Sequence, residues 1–328
     1  MEDLRFFHHF LVTAYPPLPM QADDVWKGVA ALSHQYDYLV HSMLALAASH
    51  LNLYTGDCEG QALAHRVKAI NLLNQSLNTP CTSTAEGDAR FGAIMALTFQ
   101  ASCMPEGMTE FLSMIRGCHI IACTGMLDFN ASLFKEFTTE GYSQSIRRLI
   151  GSRGLVLEPD QEALFDDFLV SLRRLAPLCS SPLEVKFLAA TERITKMVKT
   201  SAPDAFAELA SQYNLITEAT SEELAPLIDT TSHGAQLLLI HFLIIEFAIG
   251  EIALGGLGWR FGFRRRSCLA WLDRLIGNLP ERYMTHIEWP LKYAERMLAH
   301  LTSPFHLPNI YSAMGSQSAI SQVYLPPV

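Results

Sequence analysis

Along most of this chain apolar residues recur at intervals of three and four, the period of a helix with one buried face. No stretch alternates polar and apolar residues as a half-buried strand does, so the pattern predicts an all-α fold. The first helix covers residues 2–15 and stops at Pro16 and Pro17, which cannot continue it. Helices over 24–33 and 36–54 follow. The second has Leu39, Val40, Met43, Leu44, Ala47 and Leu51 on one face, with small Ala45 and Ala48 to let a neighbour approach closely. Beyond the turn Thr55-Gly56-Asp57 a helix runs to about Asn78, with Leu63, Val67, Ile70, Leu73 and Leu77 expected inside and Arg66 and Lys68 outside. Ser83 and Glu86 form a capping signal for the next helix, which stops near Met104-Pro105, and another spans 108–123. The short turns between them predict antiparallel helical pairs.

Residues 129–156 break the pattern with Gly141, Gly151 and Gly154 and with basic Arg147, Arg148 and Arg153, and are expected to form a loop or cover. Helices resume over 160–175, 183–200, 203–217 and 222–228. The run AQLLLIHFLIIEFAIGEIAL, residues 235–254, is apolar on every side and is expected to be a central helix enclosed by the N-terminal pairs and the last two helices, 267–279 and 283–301. A weakly patterned tail follows from Pro304, and one domain is expected to cover the chain.

The central run is long enough to span a membrane. Glu246 and Glu251 inside it would make such a span very costly, which favours a buried core helix. Gln236, His241, Glu246 and Glu251 recur every five positions, each turned about 140° from the last, so each needs a partner of its own. His241 and Glu246 are the candidate catalytic residues, and Gln236, Glu251 and His41 the candidate ligand-binding ones. His41 shares a helical stripe with His34, Tyr38, Ala45 and Ala48, which suits a pocket wall as well as close helix packing. An apolar chamber is expected beside the central helix, lined by the 36–54 helix and reached by His241 or Glu246. Burial there would raise the Glu246 pKa unless Arg260 or Arg264 keeps the group ionised.

Of the 328 residues, 49% are hydrophobic and 17% charged, enough to bury a large core. The net charge of −9 argues against direct nucleic-acid binding, which needs clustered Lys and Arg. Seven scattered cysteines without a CxxC pair read as reduced thiols, and the acidic N-terminus does not resemble a secretory signal. An intracellular protein, cytoplasmic or nuclear, is expected. No His, Cys or carboxylate group has metal-ligand spacing, and GxSxG, phosphate-loop and dinucleotide motifs are absent. The run from Leu254 to Arg266, LGGLGWRFGFRRR, reads as a helix stop and a basic loop. No metal and no cofactor are expected.

Four blocks, LRFFHHF from Leu4, DVWKGVAALSHQYDYLVHSMLALAASHL from Asp24, ALAHRVKAINLLNQSL from Ala62 and EFLSMIRGCHII from Glu110, together resemble one family. In wording, order and spacing this stretch is similar to the regulatory domain of fungal zinc-cluster transcription factors of the sterol-uptake-control type. The resemblance covers residues 1 to about 125 and implies an all-helical domain with a deep lipophilic pocket that senses a sterol. Such regulators bind DNA through an N-terminal six-cysteine zinc cluster, whereas here the matching blocks begin at the first residues and no stretch has the cysteine spacing.

Two readings follow. In the first, the chain binds a terpenoid or polyketide of fungal secondary metabolism and promotes a cofactor-independent cyclisation or pericyclic step, with His241 and Glu246 supplying hydrogen bonds. In the alternative, it is a non-catalytic sterol- or metabolite-sensing regulator that acts through a DNA-binding partner or as part of a longer factor. The expected partner is a lipophilic small molecule, with a protein partner or a second copy alongside.

Overall fold

The computed structural model describes residues 1–16, 22–150, 157–255 and 262–301. Its regular structure is helical, with no strand among the described residues, so the fold is all-α as expected. The chain divides into two compact units, Met1–Tyr142 and Ser143–Val328.

In the first unit α1 (Glu2–His9) runs into a π-helical turn, Phe10–Ala14, rather than continuing as one helix. After α2 (Ala22–Leu32) comes α3 (Asp37–Thr55), on which α1, the π-helical turn, α4 (Glu59–Leu77) and α5 (Thr84–Ser102) all pack. Ala45, Ala47 and Ala48 of α3 are fully buried, and their small size lets these neighbours approach closely. Gly56 ends α3 at φ 70°, a left-handed conformation that glycine adopts without a Cβ penalty. The Ser83 hydroxyl accepts from the Glu86 N–H at 3.1 Å, so the capping signal starts α5 as expected. The helix α6 (Met108–Ile120) ends in a second π-helical turn, Ile121–Gly125.

The face of α4 differs from the expected one. Leu63 and Val67 are 56% and 50% exposed, while Arg66 is buried at 4% beside Ala62, Ala69 and Leu73. Arg66 is held there by polar partners: its guanidinium donates to Gln100 Oε1 at 2.9 Å and to Glu110 Oε2 at 2.5 Å, and Gln100 in turn donates to Ser49 at 3.0 Å. Small Ala62 and Ala69 leave room for that side chain against α5, so the bulkier aliphatic stripe turns outward.

Residues 129–156 also depart from the loop expectation. A 3₁₀ turn at Phe129–Ala131 is followed by α7 (Thr139–Ile150), in which Ile146 and Ile150 are buried at i and i+4 while Arg147 and Arg148 are exposed. Asp88 of α5, itself buried, accepts from the Ser132 hydroxyl and from the Leu133 N–H at 3.2 Å, which fixes the turn that inserts Phe134 against Trp26 and Phe91. Burial raises the Asp88 pKa, and those hydrogen bonds oppose the rise. Asp88→Ala is expected to cost about 1–2 kcal/mol in urea unfolding, since it orphans a buried hydroxyl and an N–H. A loss confined to a few tenths would mean that the turn holds without this carboxylate.

The second unit contains α8 (Pro159–Arg173), α9 (Pro182–Val198), α10 (Ala202–Thr217), α11 (Ser221–Ile228), α12 (His233–Leu254), α13 (Gly262–Gly277) and α14 (Glu288–Leu301). The expected central helix is α12. It is the one described helix long and apolar enough to cross a membrane, yet residues 235–245 are all buried within protein. It is packed by α9, α10, α11, α13 and α14, so the last two helices close on it as expected. The N-terminal pairs, expected around it as well, build a core of their own in the first unit. The run Arg264–Arg266, read as a loop, is helical in α13, and the tail from Pro304 lies outside the described residues.

Candidate functional site

His241 sits at the middle of α12 with no exposed surface. Its Nδ1 is 2.8 Å from the Leu237 carbonyl oxygen, which only accepts, so Nδ1 carries the proton. That leaves Nε2 as an acceptor, and the Ser171 hydroxyl of α8 donates to it at 2.9 Å. Burial lowers the His241 pKa to about 4; the Leu237 carbonyl opposes the fall and His286 adds to it, so the ring is neutral at physiological pH. Phe168 packs on the ring at 5.7 Å and is itself covered by Trp289 at 4.8 Å.

The other candidates on α12 each meet a different element, as their spacing requires. Gln236 is 2% exposed, and its amide N–H donates to the Thr230 carbonyl while its Oε1 has no hydrogen-bond partner among the described residues. Glu246 is half-buried and accepts from the Tyr213 hydroxyl of α10 at 3.0 Å. Glu251 is exposed, with the Tyr293 hydroxyl of α14 at 3.5 Å, on the open side of a last turn whose Ala253 and Leu254 remain buried. Arg260 lies outside the described residues, as does the side chain of Arg264.

His41 belongs to the first unit, where its Nδ1 is 2.9 Å from Nδ1 of His65 on α4. Of its expected stripe, Tyr38, Ala45 and Ala48 are buried, while His34 lies before α3, exposed, beside Gln35. None of the hydrogen bonds described above joins two of the five candidates. The structure instead pairs each with a residue that sequence reading passed over: Ser171 with His241, Tyr213 with Glu246, Tyr293 with Glu251, His65 with His41 and the Thr230 carbonyl with Gln236. The i, i+4 relation of His241 to Leu237 O was legible locally, whereas Ser171, 70 residues away, carries no local signal.

The chemistry available at His241 is that of a neutral, fully committed imidazole. Both ring nitrogens are engaged, and a proton taken up at Nε2 would reverse the Ser171 hydrogen bond, the ring then donating to the hydroxyl oxygen. Among the described residues no cluster of three or more His, Cys, Asp or Glu side chains is arranged to hold a metal ion.

Residues 4–143 match the family described as Fungal specific transcription factor domain. That span coincides with the first compact unit, Met1–Tyr142. Sterol uptake control protein 2 of Saccharomyces cerevisiae is 27% identical over 79 residues, which cover 23% of this chain and 9% of that protein. The match therefore spans under a tenth of the relative's length. No solved structure matches the chain.

Proposed function

We propose, from the match of residues 4–143 to a fungal specific transcription factor domain, that this chain is a ligand-responsive regulatory module of transcription. It senses a lipophilic metabolite of the sterol or terpenoid class and passes the signal on through protein contacts, inside the cell and in the nucleus or cytoplasm. The observation that carries this reading is the agreement between the family match and a compact unit with its own core, since a domain boundary and a homology boundary fall within a few residues of each other. The sterol class comes from the likeness to Sterol uptake control protein 2. The apolar surroundings of α12, with the Oε1 of buried Gln236 left without a hydrogen-bond partner among the described residues, support placing such a molecule in the second unit.

The comparisons favour this reading over cyclisation, and the geometry of His241 points the same way because its two nitrogens are already committed, one to Ser171 of α8 and one to the Leu237 carbonyl of its own helix. The test is a fusion of residues 1–328 to a heterologous DNA-binding domain in yeast, with a reporter read during sterol depletion and after sterol is restored. Reporter output is expected to change several-fold with sterol supply, and Gln236→Leu to blunt that response. Constant output across both conditions, from a fusion that is expressed and nuclear, would reject the sensing role.

A further inference from the structure

Two imidazole–imidazole hydrogen bonds lie in the seam around α1. His9 Nε2 is 2.9 Å from His50 Nδ1 on α3, and His41 Nδ1 is 2.9 Å from His65 Nδ1, so α3 contributes to both. The helix α1 is anchored by Phe6 and Phe10, both essentially unexposed, with His9 beside the second of them. At its other end Asp3 lies 3.4 Å from Nε2 of His65.

We propose that the His9–His50 contact is a proton-sensitive latch that holds the C-terminal end of α1 and the π-helical turn after it against α3. The geometry sets the sign. A hydrogen bond between two ring nitrogens needs one to donate and the other to accept, so the docked pair takes up at most one proton. With both rings charged, two N–H groups would face each other at 2.9 Å, and the contact would open. Undocked, both rings are free to charge below their ordinary pKa. Release is therefore coupled to uptake of one additional proton and is favoured as pH falls.

The charged neighbours agree. Arg5 and His8 on α1 both disfavour a charge on His9, after burial, and all three lower its pKa. Tyr54 of α3 meets the edge of the His50 ring at 5.3 Å. The His41–His65 pair works differently. Lys68 and His65 lower the His41 pKa after burial, Asp37 and Asp3 oppose them, and a proton on His65 is compatible with docking because it then donates to Asp3 on one side and to His41 on the other. Acid thus loosens the His9 end and leaves the Asp3 end held. The inference is independent of the regulatory reading.

Hydrogen exchange of the full chain between pH 7.5 and 5 tests it. After correction for intrinsic exchange rates, protection of amides 10–15 is expected to fall by up to about tenfold per pH unit below pH 6, the slope of one proton, while α5 stays protected. His9→Gln places an amide where Nε2 lies, and that amide can donate to or accept from His50 in either of its protonation states; the variant should dock normally with a flat profile. His50→Asn, which puts an amide at the Nδ1 position, is the second variant and should flatten the profile likewise. Wild-type protection that does not change with pH, or the same slope in both folded variants as in wild type, would overturn the latch.

Discussion

Glu184→Ala is expected to cost about 1–3 kcal/mol of stability, and Glu184→Gln about 1 kcal/mol. Glu184 has no exposed surface, and its Oε2 accepts from the Ser180 N–H at 2.6 Å, the Ser181 N–H at 2.9 Å and the Ser180 hydroxyl at 3.2 Å. Its own N–H is capped by the Ser181 hydroxyl at 3.2 Å, so the first turn of α9 closes as a reciprocal capping box. The same corner receives the start of α12. Ser232 lies 3.5 Å from Glu184 Oε1, and Gly234 sits so close to the Leu178 carbonyl oxygen that a Cβ there would come within 2.4 Å of it. Alanine at 184 takes the carboxylate acceptor away from the Ser180 and Ser181 N–H groups, of which Ser180 is exposed to water, whereas glutamine keeps one amide oxygen in place. Urea midpoints at constant slope give the measurement, and an alanine variant within about 0.5 kcal/mol of wild type would show that water or a neighbouring carbonyl replaces the carboxylate.

Glu184 also illustrates what the sequence could and could not disclose. Helix positions were legible because period and caps are local: Ser83 with Glu86, Gly56 after α3 and the continuous apolar run of α12 all lie within a few residues of the feature they specify. The orientation of a helix was less so. Of the expected face Leu63, Val67, Ile70, Leu73 and Leu77, Leu73 is buried as expected, while Ala62, Arg66 and Ala69 take the place of Leu63 and Val67, with Arg66 held by Gln100 and Glu110, 34 and 44 residues away. Glycines hid α7, whose buried face needs only Ile146 and Ile150. For the candidate site, the spacing of Gln236, His241, Glu246 and Glu251 correctly implied four separate surroundings. It did not imply that the fourth would face outward while Ala253 and Leu254 beyond it stay buried, because which side of α12 is left open depends on where its neighbours pack.

Acidification is expected to remove up to about 3 kcal/mol of the wild-type stability as pH falls from 6.5 to about 4, through His241 alone. The sign follows from the depressed pKa. The folded ring stays neutral while the unfolded one binds a proton below 6.5, so the unfolded state gains protons first and stability declines until the folded ring also titrates. His9 and His41, whose pKa values are also lowered by burial, add to the decline, so the informative quantity is the difference from His241→Leu measured by urea unfolding at pH 7.5, 5.5 and 4. That variant should lose stability at pH 7.5, because Ser171 loses its acceptor, and should be less sensitive to acid than wild type. Ser171→Ala with His241→Leu removes both polar partners and should recover much of the loss at pH 7.5, because no buried group is then left unpaired. If His241 serves packing alone, the double variant also keeps the sterol response of the reporter fusion. A double variant that folds stably but no longer responds would place the Ser171–His241 pair in the ligand site, and an acid sensitivity of His241→Leu equal to wild type would show that the ring is protonated as easily folded as unfolded.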